Sequence, residues 1–145
     1  MKPQWDLILV GGGLANGLIA WRLRQLQPQL KMLLLEAGAE PGGNQTWSFH
    51  QDDLTPAQHA WIAPLVAHRW SGYDVRFPAL TRRLDGGYLS ITSGRFAAVI
   101  AEALGDSLRT RTPVSALTPE TVTLADGSLL RASAVIDGRG YQPGA

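Results

Sequence analysis

Three glycines, Gly11, Gly12 and Gly13, follow the apolar run DLILV (6–10), and an acid, Glu36, ends a second apolar run, KMLLLE (31–36), about 25 positions after Gly11. This nearly fits the dinucleotide fingerprint G-x-G-x-x-G, in which the first glycine makes a tight turn and the second lets a pyrophosphate reach the backbone. Unpaired amides at a helix start then donate to the phosphates, which makes Gly12, Leu14 and Ala15 candidates beside Gly11 and Gly13. An acid at the spacing of Glu36 suits a ribose hydroxyl and repels a 2′-phosphate, so FAD or NAD is expected over NADP. The third glycine position holds Asn16. The helix–strand contact there is expected to be looser, or shifted to Gly17.

These residues need a β-α-β unit to hold them. Residues 6–10 and 31–36 read as strands buried on both faces, parallel and joined by a right-handed crossover. From Leu14 a helix is expected, with Ala15, Leu18, Ile19 and Leu26 on its apolar face and Pro28 as its stop. Residues 37–46 are turn-rich, with Pro41-Gly42-Gly43. Thr55-Pro56 looks like a cap followed by proline at the first helical position, opening a short helix that Pro64 ends. Thr92-Ser93 opens another, with Phe96, Val99, Ile100 and Ala103 at helical spacing and Gly105 as the stop. Residues 112–114 read as a strand, residues 121–125 and 128–131 as a hairpin turning at Asp126-Gly127, and residues 134–137 as a last strand before Gly138-Arg139-Gly140.

Composition narrows the functions available. The chain has 145 residues, 45% of them hydrophobic, and a formal charge of +1 with scattered Lys and Arg, so nucleic acid is not an expected partner. It has no cysteine, which excludes thiolate metal sites and cysteine nucleophiles and is compatible with a reducing cytoplasm. The uncharged stretch from Leu7 to Trp21 is broken by glycines and Asn16 and falls short of a spanning helix. Asp6 and the same glycines also break the continuity that a signal peptide would need, so the N-terminus reads as mature.

The long segment after Glu36 favours a flavin, whose bulky ring needs chain passing near it. An acid followed by the pair Gly42-Gly43 resembles FAD proteins of the glutathione-reductase structural type. So does the later order: a helix containing Arg95-Phe96, a strand near Val114 that in such proteins runs past the adenine, a hairpin belonging to a small meander, and a strand ending in Asp137-Gly138.

The segments GGNQTWSFH (42–50), GYLSITSGRF (87–96) and AVIDGRGY (134–141), with DLILVGGGLANGLIA (6–20), together resemble the bacterial lycopene β-cyclases of carotenoid biosynthesis. Asn16 belongs to that pattern. The resemblance implies an α/β, Rossmann-like FAD-binding fold of the glutathione-reductase type with a β-meander, incomplete in this chain. Residues 1–145 would be the N-terminal FAD/NAD-binding portion; the last strand of the FAD domain, the substrate domain and the catalytic acid would lie beyond Ala145, leaving no catalytic residue here. The implied cofactor set is Gly11, Gly12, Gly13, Leu14, Ala15, Glu36, Ala37, Gly43, Val114, Asp137 and Gly138. Trp47, Phe49, His50 and Arg95 are candidates for lining a flavin or carotenoid pocket. The implied reaction is an isomerisation of lycopene to β-carotene on reduced FAD, with NAD(P)H as electron source and no net redox change. The portion alone is expected to be inactive. The complete enzyme should be cytoplasmic and touch the inner membrane peripherally, where lycopene or a related linear carotenoid resides.

Several residues carry blander readings. His50, His59 and His68 recur every nine positions, which suits no metal site, and no metal is expected. Trp47 and Phe49 could be core, Asp137 a structural turn, Asp52-Asp53 a turn or helix start, and Arg82-Arg83 a solvated face, with membrane-surface contact a distant second; no amphipathic anchor is legible. The remaining alternatives are the FAD-binding part of a flavin-dependent hydroxylase or reductase, and a stand-alone dinucleotide-binding module. A truncated sheet of this kind is expected to expose apolar edges and to be poorly soluble.

Overall fold

The computed structural model describes residues 2–143, which divide into two compact units, one formed by the chain up to Gly43 and from Ile100 onward, the other by Asn44–Val99. In chain order the elements are β1 (Trp5–Val10), α1 (Leu14–Leu26), β2 (Met32–Leu35), β3 (Thr46–His50), α2 (Pro56–Ile62), β4 (His68–Trp70), β5 (Tyr73–Phe77), β6 (Leu80–Leu84), β7 (Tyr88–Thr92), α3 (Ser93–Leu104), β8 (Leu108–Arg109), β9 (Val114–Leu117), β10 (Thr121–Leu124) and β11 (Leu129–Asp137).

The first unit is built on a six-stranded sheet in the order β8-β2-β1-β11-β10-β9. Its β8-β2-β1-β11 part is parallel. Strands β9, β10 and β11 form an antiparallel meander. Ile8, Leu9, Leu33 and Leu34 are fully buried, which explains why β1 and β2 read as unbroken apolar runs. Alternation sends Ile8, Val10, Leu33 and Leu35 to one face, where they pack with Val122, Leu124 and Ala132 of the meander. Leu9 and Leu34 point to the opposite face, and α1 packs against β1 and β2.

The face α1 buries differs from the expected one. Asn16, Gly17, Ala20 and Trp21 are buried, whereas Ala15 is exposed and Ile19 and Leu26 are 37% and 59% exposed. Close approach to a parallel sheet selects small side chains, and periodicity counted on large apolar ones points to the wrong side of the helix.

The hairpin turns at Asp126-Gly127 as expected: Gly127 has φ +89°, its amide donates to the Leu124 carbonyl at 2.9 Å, and the Ser128 amide donates to the Asp126 carboxylate at 2.8 Å. Its second strand and the expected final strand are one nine-residue strand, β11. The start of β11 pairs with β10 (Val122 opposite Leu130) and the remainder pairs with β1 (Leu7 opposite Ala134). The meander is therefore an extension of the parallel sheet.

The second unit holds a three-stranded antiparallel sheet in the order β3-β7-β4 and the separate hairpin β5-β6. Leu89 and Ile91 of β7 are buried, together with Ile62, Leu65 and Phe96. Thr55 caps α2 as its sequence predicts: its hydroxyl accepts from the Gln58 amide at 3.2 Å, and the Gln58 side chain accepts from the Thr55 amide at 2.9 Å. Helix α3 starts at Ser93 and ends at Leu104, before Gly105 with φ +52°, also as expected. No helix among the described residues is long and apolar enough to cross a membrane.

Candidate functional site

The site is assembled where three strand ends of the first unit meet the start of α1. Gly11 leaves β1 with φ +97°, and a Cβ there would lie 2.9 Å from the Gly138 carbonyl carbon, so only glycine fits. Its amide donates to the Leu35 carbonyl at 2.8 Å, fixing the turn to the end of β2. Gly13 is the residue before the helix, no side chain caps it, and a Cβ placed on it would meet nothing within 4 Å. The first-turn amides, Leu14 and Ala15 among them, have no partner inside the helix, and the open space beside Gly13 leaves room for an anion to reach them.

Glu36 is tied to this loop. Its Oε1 accepts from the Gly12 amide at 3.0 Å and its Oε2 from the Gly38 amide at 2.6 Å. A Cβ on Gly12 would sit 3.1 Å from the Glu36 Oε1 and from the Pro41 Cβ, so the acid needs glycine there. The Glu36 backbone is held from the other side: its amide donates to Arg109 and its carbonyl accepts from Thr112, both at 2.9 Å. Each carboxylate oxygen still has a free lone pair that could take a ribose hydroxyl. Beyond it come exposed Ala37 and the pair Gly42 (φ +88°) and Gly43 (φ +62°), with the Gly42 amide donating to the Gly12 carbonyl at 2.7 Å.

Asn16 closes the third side. It is 2% exposed, and its Nδ2 donates to the Val10 carbonyl at 3.1 Å and the Gly11 carbonyl at 2.9 Å. The contact is tight rather than loose, because room for the Asn16 side chain is made at Gly138, where a Cβ would lie 2.7 Å from the Asn16 Cγ. The small residue that a third glycine would supply on the helix is supplied instead by Gly138, just past the end of β11. The Gly138 amide donates to Val10 as well, at 2.8 Å.

Asp137 ends β11 opposite Val10. Its carboxylate is gripped by Arg139, with Nε to Oδ1 at 2.9 Å and Nη2 to Oδ2 at 3.0 Å. That hydrogen bond holds the Asp137 carboxyl below the usual carboxylate range. Val114, half-buried, begins β9 opposite Leu124, two residues after the Thr112 that bonds Glu36.

The four pocket candidates lie in the second unit and fall into separate environments. Trp47 and Phe49 share one face of β3, Trp47 edge-on to Phe96 at 5.2 Å and Phe49 stacked on His59 at 6.2 Å. His50 takes the other face, 5.2 Å from the Tyr88 ring. Arg95 on α3 donates through Nε to the Pro64 carbonyl at 2.8 Å. No group of His, Cys, Asp or Glu among the described residues could hold a metal ion.

Two features of the first unit escaped the sequence reading: the Asn16 bridge, signalled by a polar residue where the fingerprint wants a small one, and the Arg139 partner of Asp137, signalled by the D-x-R spacing.

A family model described as "Lycopene cyclase protein" matches residues 6–144. The chain is 67% identical over 135 residues to a lycopene beta-cyclase of Pseudescherichia vulneris, covering 93% of this chain and 35% of that protein. It is 56% identical to one of Pantoea ananas, covering 97% of this chain and 37% of that protein. It thus spans roughly a third of the length of these relatives. Among solved structures it is similar to a 2-methyl-3-hydroxypyridine-5-carboxylic acid oxygenase (TM-score 0.71, 15% identity, 93% of this chain and 39% of that one). It is also similar to the p-nitrophenol 4-monooxygenase of Pseudomonas putida (TM-score 0.68, 19% identity, 94% and 41%). The fold is thereby a Rossmann-like α/β fold.

Proposed function

The chain belongs to the lycopene cyclase family, and on that premise we propose that residues 1–145 are the N-terminal, FAD-binding portion of a lycopene β-cyclase that converts lycopene or a related linear carotenoid to β-rings. The observation that carries this reading is the bond from the Gly12 amide to Glu36, which joins the acid suited to a ribose and the loop suited to a pyrophosphate in one piece of backbone. In this reading the pyrophosphate lies over Gly11–Gly13 against the amides of Leu14 and Ala15, and Glu36 takes the ribose hydroxyls. Ala37, Gly43 and Val114 border the nucleotide, and Asp137-Gly138 borders the phosphates. Gly42-Gly43 leads toward the segment carrying Trp47, Phe49 and His50, which with Arg95 would line the flavin or carotenoid pocket.

Cyclisation adds a proton to a terminal double bond, lets the neighbouring alkene attack the resulting cation, and then loses a proton, with no net redox. FAD, when bound in its reduced form with NAD(P)H as electron source, would supply an electron-rich ring that stabilises such a cation. This portion contributes binding and orientation. The acid that gives and takes the proton is assigned to family length beyond what this chain spans, and the portion by itself is expected not to cyclise. The same reading places the complete enzyme in the cytoplasm with peripheral contact at the inner membrane.

Glu36→Gln is the direct test. An amide nitrogen must face either the Gly12 or the Gly38 amide, so one bond becomes a clash, and FAD retention measured by flavin absorbance should fall at least tenfold. Undiminished flavin in a folded Glu36→Gln protein would remove the ribose role. Formation of β-carotene by residues 1–145 in lycopene-accumulating cells would overturn the division of labour. The fold alone would equally allow a flavin hydroxylase; the segment TWSFH (46–50), part of the lycopene-cyclase pattern, favours the cyclase.

A further inference from the structure

The β5-β6 hairpin stands outside both larger sheets, and a lone two-stranded ribbon is marginal unless something covers one face. Its register sorts the side chains. Tyr73, Val75 and Phe77 face the same side as their partners Leu84, Arg82 and Leu80, while Asp74 and Arg76, opposite Arg83 and Thr81, face the other. At its base the apolar side is held, with the Tyr73 ring 5.6 Å from both Tyr88 and His50. Toward the tip it is bare: Phe77 is 62% and Leu80 57% exposed, joined by an exposed turn at Pro78-Ala79, and Trp70 nearby in the chain is 48% exposed.

Charge is concentrated around this tip. Residues 69–85 contain four arginines (Arg69, Arg76, Arg82, Arg83) against two acids, Asp74 and Asp85, in a chain whose net charge is only +1. Asp74 is shared between Arg76 at 3.8 Å and Arg83 at 3.4 Å, and Asp85 lies 3.4 Å from Arg83. Arg82, on the apolar side across from Val75, has no ion pair among the described residues.

From this arrangement we propose that the hairpin is a lipid-docking element: Phe77 and Leu80 enter the headgroup–acyl boundary of an anionic bilayer while Arg82, joined by Arg76, binds its phosphates. Aromatic and aliphatic tips ringed by long cationic side chains suit that boundary, where each stem lies along apolar surface and each head reaches phosphate. A protein partner fits less well. A stable protein interface takes about 800 Å² from each side and depletes charge at its centre, and a tip of two side chains edged by arginines offers neither.

The inference deepens the membrane contact proposed above by giving it a surface, and it is tested without substrate. Purified full-length protein is floated with phosphatidylcholine vesicles, with and without phosphatidylglycerol, and its flavin content is recorded in parallel. Binding to the anionic vesicles is expected, reduced at least about tenfold in the double variant Phe77→Ser, Leu80→Ser and about fivefold in Arg82→Gln, the latter effect fading at high salt. Leu129→Ser, which removes an exposed side chain of β11, should change nothing. Unchanged partitioning of the folded double variant, or failure of the native protein to bind either vesicle, would overturn the assignment. So would a concentration-dependent self-association that the double variant abolishes, which would make the tip a protein contact. Loss of flavin with vesicle binding intact would count against the cofactor reading alone.

Discussion

Replacing Asn16 by aspartate changes one atom type at the centre of the proposed site and reverses its chemistry. The amide nitrogen that donates to Val10 at 3.1 Å and Gly11 at 2.9 Å becomes an oxygen facing two carbonyl oxygens, in a position 2% exposed. Two hydrogen bonds worth about 1 kcal/mol each are lost. The new carboxyl, buried without a cation beside it, is pushed above the usual carboxylate range and stays neutral, and each unit of such a rise costs about 1.4 kcal/mol at neutral pH. Staying neutral at pH 7 means a rise of roughly three units, or about 4 kcal/mol, and with the hydrogen bonds the loss at pH 7 comes to about 6 kcal/mol. The sign is fixed. In acid below the ordinary aspartate range the group is protonated in both folded and unfolded chains and only the hydrogen-bond loss remains; the deficit then grows as pH rises until it passes the raised folded value. Urea unfolding of Asn16→Asp and native protein, followed by tryptophan fluorescence at several pH values, measures the difference directly. A constant deficit across pH, or a variant as stable as the native protein at pH 8, would refute the reasoning that Asn16 acts as a donor to the carbonyls of Val10 and Gly11 at the end of β1. Asn16→Leu serves as the shape control, losing the bonds without the charge and so showing no pH dependence.

Three further outcomes follow from the same geometry. Gly11→Ala meets the Gly138 backbone at φ +97° and should cost about 2–4 kcal/mol in denaturant unfolding, with flavin lost alongside. Gly13→Ala meets no protein atom within 4 Å, so stability should change by no more than about 1 kcal/mol while flavin binding falls sharply, because the methyl group enters the space left for the pyrophosphate; equal flavin retention would empty that space of its assigned role. Arg139→Gln should lower stability by less than about 1 kcal/mol at neutral pH, since the pair is partly exposed. The Asp137 carboxyl is held below its ordinary value, so this contribution is present above the ordinary carboxylate range and lost as pH falls through the depressed one, and native and variant unfolding curves should converge in acid.

What was legible in the sequence was whatever one strong local term decides. Ile8–Val10 of β1 and all of β2 are buried on both faces and so are apolar; Thr55, Gly105 and Gly127 each stop or start an element through their own backbone or side-chain chemistry. The second unit's strands were not legible, because β4 and β6 are mostly exposed and HRW and LTRRL show no alternation to read. β4 is placed by pairing with β7, about twenty residues on, and β6 by pairing with β5, so neither is fixed by its own residues. The buried side of α1 misled for a related reason: it is chosen by how near the helix must come to the sheet, and Asn16, Gly17 and Ala20 win over Ile19 and Leu26 on size. At the candidate site, the glycines and Glu36 could be named from spacing, whereas the bonds that couple Glu36 to Gly12 and Asn16 to Gly11 depend on three strand ends meeting.

The pairing of β1 with β11 also sets a timetable. Leu7 waits for Ala134 and Val10 for Asp137, so each residue of β1 meets its β11 partner only 127 positions later in synthesis (134 − 7 and 137 − 10). Until it arrives, β1 has only β2 beside it, and Gly11 and Asn16 lack the Gly138 against which they rest. Such non-local closure is slow and leaves an apolar edge open meanwhile. The glycine loop, written within the first sixteen residues, can reach its final shape only after residue 138 has been synthesised, so nothing that needs that shape can be held before the sheet closes.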